Sequence, residues 1–390
     1  MTALEIAARL SADVEADASA RDADRVLPYD QVKALKASGL LALPVPVSYG
    51  GVEAPAEVIA EVFRLIAHAD ASIAQIFQSH FTFNEAMRLR GTPEQKAWFY
   101  PLVLDGALLA NAQSERGPHA VNVDSTTLTE TPVGYVLSGR KFYATGALFA
   151  DWLVVRASLN DGGPPTAQTP KALAYIARDT VGVEVVDDWD GMGQRTTASG
   201  TVTLSDVVVP ASHVVPFSPI FTVPTTYGAR AQLWHSAIDV GIATGALAAG
   251  VAAAAKARPH FEAGVSETAD DPTVINIAGE VTVTVRAAQA LLADAARAVD
   301  AAAADPTAES TAEASVAVAV AKVAAVRASL EASNALFELG GTRSASASGN
   351  LSRFWRDART HTLHDPTRWK LQHIGRYTLS GTPPPRHGQI

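Results

Sequence analysis

The chain is 390 residues long, 48% of them hydrophobic, and carries 40 acidic against 31 basic side chains for a net charge of −9. That balance, with no run of Lys and Arg, excludes a nucleic-acid surface, and the length predicts two or three subdomains rather than one core. The absence of cysteine excludes disulfides, thiolate catalysis and cysteine-ligated metals, and fits a reducing cytoplasm.

In chain order, the first 25 residues are acidic and amphipathic, without the basic and apolar regions of a signal peptide. Residues 1–107 read as a helical domain. Apolar residues at helical spacing mark helices over 29–38, 55–68 and 71–89, and Thr92-Pro93 starts another that runs to 104. The prolines and Gly50-Gly51 of residues 40–51 predict a loop. From residue 108 to 218 the period shortens to that of strands: 126–131, 135–143, 152–158, 172–176, 183–186 and 201–209. The Gly/Pro/Thr-rich stretch 161–169 is expected to be a disordered tip. Residues 219–390 return to helices, over 234–257, 274–303 and 312–339, and end in a broken pair. The longest apolar run, 240–255, is mostly Ala and Gly and too short for a membrane span, so a soluble protein is expected.

The broken pair carries the most chemistry. Phe354, Asp357, His361, His364, Arg368 and Leu371 would share one face of a continuous helix. Pro366 forbids that continuity, because it lacks an N–H and pushes Asp365 out of the helical region. A helix is expected to end near Leu363, with a corner at His364-Asp365 and a second helix from Pro366, capped by Asp365. An imidazole beside a carboxylate at an inward corner suits proton transfer. The alternative is a simple N-cap at Asp365 and a buried corner histidine at His364. No zinc motif, GxSxG elbow, P-loop or GxGxxG after a strand occurs.

Helices, a β-domain and four further helices, at this length, resemble the acyl-CoA dehydrogenase family. Lys141-Phe-Tyr-Ala-Thr-Gly146 is similar to that family's flavin-contacting segment, and Arg356-Asp-Ala-Arg359 to its RDA(K/R) stretch. The resemblance implies an α+β fold: an N-terminal helical domain, a central β-barrel-like domain and a C-terminal four-helix bundle, usually tetrameric. Nine residues after Arg356, where the dehydrogenases hold a catalytic glutamate, stands Asp365, within His364-Asp365-Pro366. Residues 111–118 (NAQSERGP) replace the usual TEP…GSD motif. These departures, with THTLHDP and DWDGMGQRTTASG (residues 188–200), resemble the family's flavin-dependent monooxygenase branch, which includes dibenzothiophene and sulfur-acquisition enzymes.

That branch implies a two-component enzyme using C4a-hydroperoxyflavin chemistry on a small organosulfur or related substrate. It would take FMNH2 from a separate reductase, with FAD as the alternative cofactor. The catalytic residues implied are His364 as proton relay or hydrogen-bonding partner of a substrate oxygen, Asp365 as its support and His80 as a pocket residue. Each has a structural alternative, His80 as an ordinary core histidine among them. The cofactor-binding residues implied are Tyr143 against the flavin, Thr145 at its N5 edge, Asn111, Trp189 and Ser199 around it, and Arg258 and Arg343 on the phosphate, one from a neighbouring subunit. Asn84 replaces a branch tyrosine, which argues against a large aromatic substrate. A dehydrogenase using Asp365 as base is the rival reading.

Overall fold

Capping chemistry sets the first helices. Thr2 and Glu5 form a capping box at the start of α1 (Ala3–Asp24), and Thr92 and Gln95 repeat it at the start of α6 (Pro93–Leu104). Between them lie α2 (Tyr29–Ala37), α3 (Ala56–Ala69), α4 (Ala71–Ile76) and α5 (Gln78–Arg90). The helix expected over 71–89 is therefore two. It breaks at Phe77 (φ −100°, ψ 3°), whose buried ring stacks on Phe63 at 4.6 Å. The turn at Gly146 (φ +78°) packs on the Ile76 carbonyl at the break, leaving only 2.7 Å for a Cβ.

The structure, a computed structural model, describes residues 1–117, 122–160 and 162–390. Pro118, the last residue of the 111–118 motif, and Asp161, the first of the expected tip, lie outside the described residues. Residues 162–169 contain no helix or strand and are held by turn bonds, such as Thr166 N–H to Thr169 Oγ1 at 2.8 Å.

The middle of the chain is one eight-stranded sheet: β1 (Leu109–Ala112), β2 (Thr127–Thr131), β3 (Gly134–Ala144), β4 (Trp152–Leu159), β5 (Lys171–Ala177), β6 (Val183–Val186), β7 (Gly200–Val209) and β8 (Val214–Pro216). The order is β6-β7-β3-β2-β4-β5-β8, with β1 parallel to β4. Its two ends, β6 and β8, do not pair with each other, so the domain is an open sheet rather than a closed barrel. The six expected strands are present to within a residue at most ends. β1 and β8 are too short to show a period of their own. The β3–β7 ladder shifts register between Lys141 and Ala144, and there Tyr143 takes a left-handed φ of +56°.

The last third is helical: α7 (Tyr227–Ala254), α8 (Pro272–Ala304), α9 (Ala308–Gly340), α10 (Ser352–His361) and α11 (Thr367–Ser380). α7 begins seven residues earlier than expected and is long and apolar enough to cross a membrane, yet just over half of its most apolar window is buried within the fold. Small residues let its neighbours close in. A Cβ on Gly241 would overlap Ala67 of α3, and one on Gly250 would press on Leu336 of α9. The two helical regions share one core in space, in which Phe63, Phe77, Phe81 and Trp234 meet.

Candidate active site

The corner forms where the proline rule put it. α10 ends at His361 and α11 begins at Thr367, with Pro366 itself at the cap position and no side-chain cap bond. Asp365 therefore does not cap the helix. Its carboxylate is 4% exposed and lies 2.7 Å from Lys370 Nζ, one turn into α11. Lys370 also donates to the Gln389 carbonyl, which ties the chain's last residues to the corner. No hydrogen bond joins Asp365 to His364.

His364 instead lies on another imidazole. Its ring centroid is 4.1 Å from that of His235 on α7, tilted by 32°. Residue His364 is exposed, with no side-chain hydrogen bond to any described residue, while protein crowds its remaining faces. Burial on those sides, with His361 and Lys322 nearby, pushes its pKa down to about 4, so it is neutral at neutral pH. Beneath it, His235 Nδ1 meets His361 Nε2 at 3.1 Å and His361 Nδ1 meets Asp239 Oδ1 at 2.6 Å. Lys322 Nζ reaches Asp239 Oδ2 at 2.5 Å, and all four of these residues are buried.

A second wall comes from the sheet. The exposed ring of Tyr143 meets Trp189 edge-on, with centroids 6.3 Å apart at 82°. The Thr145 and Ser199 hydroxyls are 2.7 Å apart, and Thr197 Oγ1 is 2.7 Å from Ser199 Oγ. Gln194 organises this wall. Its carbonyl accepts from Trp189 Nε1 at 2.9 Å and from Thr197 Oγ1 at 3.0 Å, while its N–H donates to Asp357 Oδ1 of α10 at 2.5 Å. The backbone closes tightly here, since a Cβ on Gly193 would overlap the Arg356 carbonyl. One short helix thus holds the aromatic wall through Asp357 and delivers the histidine corner.

Comparison with known proteins bears on this pairing of an aromatic, hydroxyl-lined wall with a histidine corner. The models of the acyl-CoA dehydrogenase N-terminal, middle and C-terminal domains match residues 2–107, 109–207 and 233–369. Dibenzothiophene monooxygenase of Rhodococcus erythropolis is 33% identical over 90% of this chain and 86% of its own. The chain belongs to the acyl-CoA dehydrogenase family. It falls in the flavin-dependent monooxygenase branch. FMN-bound TdsC from Paenibacillus sp. A11-2 superposes with a TM-score of 0.93, at 33% identity and full coverage of both chains. Methanesulfinate monooxygenase MsuC of Pseudomonas fluorescens gives a TM-score of 0.91 at 32% identity, again with full coverage. The probable FMNH2-dependent monooxygenase SfnC of Pseudomonas putida is 31% identical over 98% of this chain and 96% of its own.

The residues at the wall fit the family's flavin. An exposed aromatic ring in a strained backbone position, an edge-on indole and a cluster of buried hydroxyls suit a planar ring system with a polar rim. Asn111 stands on β1 opposite Val154, half-buried, and its amide makes no hydrogen bond to a described residue. Arg258 and Arg343 are brought together elsewhere. Both are exposed, at the ends of α7 and α9, and Arg343 donates to the Lys256 carbonyl. That end of α7 lies about 22 Å of helix beyond Asp239.

His80 is a correction. It is fully buried on α5, where Nδ1 accepts the Leu109 N–H at 3.2 Å and Nε2 donates to the Leu41 carbonyl at 2.8 Å. Both nitrogens are spent on backbone, and burial pushes the pKa down to about 4. The ring has no nitrogen left for a ligand and clasps β1 to α5. Asn84 is buried beside it and donates to the His80 carbonyl at 2.8 Å. Sequence reasoning missed His235, Asp239, Lys322 and Gln194. A signal was present for three of them: His235 and Asp239 are four apart on an otherwise apolar helix, and Lys322 is the one charge in an Ala/Val run.

Proposed function

We propose that this protein is the oxygenase of a two-component system, using FMNH2 from a separate reductase to oxygenate a small organosulfur compound. The observation that carries this reading is the imidazole of His364, exposed at the corner on the face of His235 and without a hydrogen bond to a described residue, with the neighbouring Asp365 turned away into Lys370. Bound reduced flavin supplies the electrons that activate O2. The chain's residues then have separate tasks. Tyr143 and Trp189 support the ring plane, Thr145 and Ser199 meet its polar edge, and Asn111 borders it. A ring nitrogen of His364 gives or takes one proton.

Phosphate recognition falls to Arg258 and Arg343. Their distance from the corner along α7 supports a partner subunit as the source of at least one, within a homotetramer. A cysteine-free chain suits a cytoplasmic location.

An FAD-dependent dehydrogenase needs a carboxylate free to abstract a proton. Asp365 is shorter than the glutamate of that chemistry, buried, and ion-paired at 2.7 Å, and misplacement by about 1 Å costs roughly 10²-fold. The deciding experiment supplies the protein with FMN, a flavin reductase, NADH and 18O2, and offers sulfinates, sulfones and thiophenes. Product carrying one 18O, formed only with reductase present, is expected. Copurified FAD that bleaches anaerobically with an acyl-CoA would overturn the reading.

A further inference from the structure

Behind His364 lie four buried ionisable groups that proton transfer at the corner does not itself require. They come from three helices: His235 and Asp239 from α7, Lys322 from α9 and His361 from α10. Burying so much charge is expensive unless every hydrogen bond is made. Here each of the four groups is bonded to the next, and the bonds run in one direction. Lys322 can only donate and neutralises Asp239, whose carboxylate can only accept. The proton between Asp239 and His361 is therefore on His361 Nδ1. With Asp239 already neutralised by Lys322, a second buried cation is disfavoured and His361 is neutral, leaving a lone pair on Nε2. His235 must then donate from Nδ1. Its own Nε2 is left as a lone pair that no described residue meets.

We propose that Lys322, Asp239, His361 and His235 form a tautomer lock that positions His364. The inference rests on reading His364 as the proton-handling group, and assigns it four positioning residues. The lock fixes the plane of His235, and that plane is the bed on which the His364 ring lies at 4.1 Å. Because His235 presents a ring face and cannot donate from Nε2, it does not compete for the His364 nitrogens. Both stay available to ligand and solvent. The groups around His364 are Asp239 from α7, Lys322 from α9, His361 from α10 and Asp365 from the corner, with His235 of α7 against its ring and Lys370 of α11 paired to Asp365. The cations Lys322 and Lys370 are offset by Asp239 and Asp365, so it is chiefly burial that disfavours a protonated His364.

Imidazole 15N spectra of the full-length, flavin-free protein test this between pH 5 and 9. The expected result is Nδ1-protonated, non-titrating His361 and His235, with His364 neutral throughout. His361→Asn separates the two halves of the lock. The Asn amide replaces Nδ1 and keeps the bond to Asp239, but does not reach His235. In that variant His235 should lose its single tautomer, and the His364 ring resonances should shift as the plane of the ring beneath it is freed. Wild-type His235 carrying its proton on Nε2 would overturn the proposal. So would unchanged His235 and His364 resonances in a folded His361→Asn. If that variant does not fold, His235→Phe decides, since it keeps the ring and removes the nitrogen. The His361 Nε2 resonance must then lose its hydrogen-bonded shift. An intact lock in a protein that never inserts 18O would defeat the oxygenase reading and leave the lock standing.

Discussion

Asp357 accepts the Gln194 N–H at 2.5 Å, joining residues 163 apart in the chain. The bond fastens the loop that carries Trp189, Thr197 and Ser199 to the helix that carries His361. Burial, with the Asp22 charge nearby, pushes the Asp357 carboxyl up to about 7 from an ordinary 3.8. An acid whose pKa is raised by folding favours the native state while protonated. Its contribution is full below about 3.8 and is lost as pH rises through 7. Asp357→Asn retains an acceptor and removes the titration. Its melting temperature should change less than wild type's between pH 4 and 8, with the variant gaining relative to wild type at pH 8. Asp357→Ala leaves a buried N–H unmet and should cost about 1–3 kcal/mol at any pH. Parallel melting curves for Asp357→Asn and wild type across that range would refute the assignment.

The Asp239–Lys322 pair carries a different expectation. Each partner is essentially fully buried, and removing one strands the other's charge. Lys322→Met should therefore destabilise by about 3–5 kcal/mol. The double variant Lys322→Met/Asp239→Asn should be milder than the sum of its singles, because no uncompensated charge remains. Chemical denaturation of the three variants measures the coupling.

Legibility in the sequence followed how local each signal was. Pro366 announced the corner because a missing N–H acts within two residues, and the strand positions followed from a period of two. The break at Phe77 was hidden, since its cause is packing against Phe63 and the distant Gly146 turn. His364 was found by motif, but its neighbour in space is His235, 129 positions away in the chain. Asp365 looked like a cap and a partner of His364. Lys370, one helical turn ahead, outcompetes both uses with a full charge. His80 stood at a family position, yet only coordinates show Leu41 and Leu109 taking both of its nitrogens. The arginines were legible as a pair and not as a place, because their distance from the corner depends on the whole length of α7.

Gly241 tests the close approach of α3 to α7. In an exposed helix, Gly→Ala gains about 1 kcal/mol from propensity alone. Here the new methyl would overlap Ala67 Cβ and lie 2.7 Å from the Arg64 carbonyl, in a fully packed core. Overpacking of that kind costs roughly 1–3 kcal/mol. The net sign should be destabilising, with a lowered melting temperature for Gly241→Ala. A neutral or stabilised variant would mean that α3 and α7 are not this close in solution.

The proton corner and the arginine rim should separate kinetically. His364→Ala removes the proton carrier and leaves the flavin wall intact. Product formation should fall by roughly 10²–10⁴-fold, with FMN affinity close to wild type. Arg343→Ala and Arg258→Ala should do the reverse, weakening FMN by about 1–3 kcal/mol as a charge-assisted bond is lost. Asp365→Asn distinguishes the rival reading. If Asp365 only anchors Lys370, the amide keeps an acceptor and much of the oxygenation survives, with the main loss in stability. If it were a catalytic base, the amide would abolish turnover as completely as His364→Ala does. Stopped-flow turnover set beside FMN titration for these four variants gives the pattern directly.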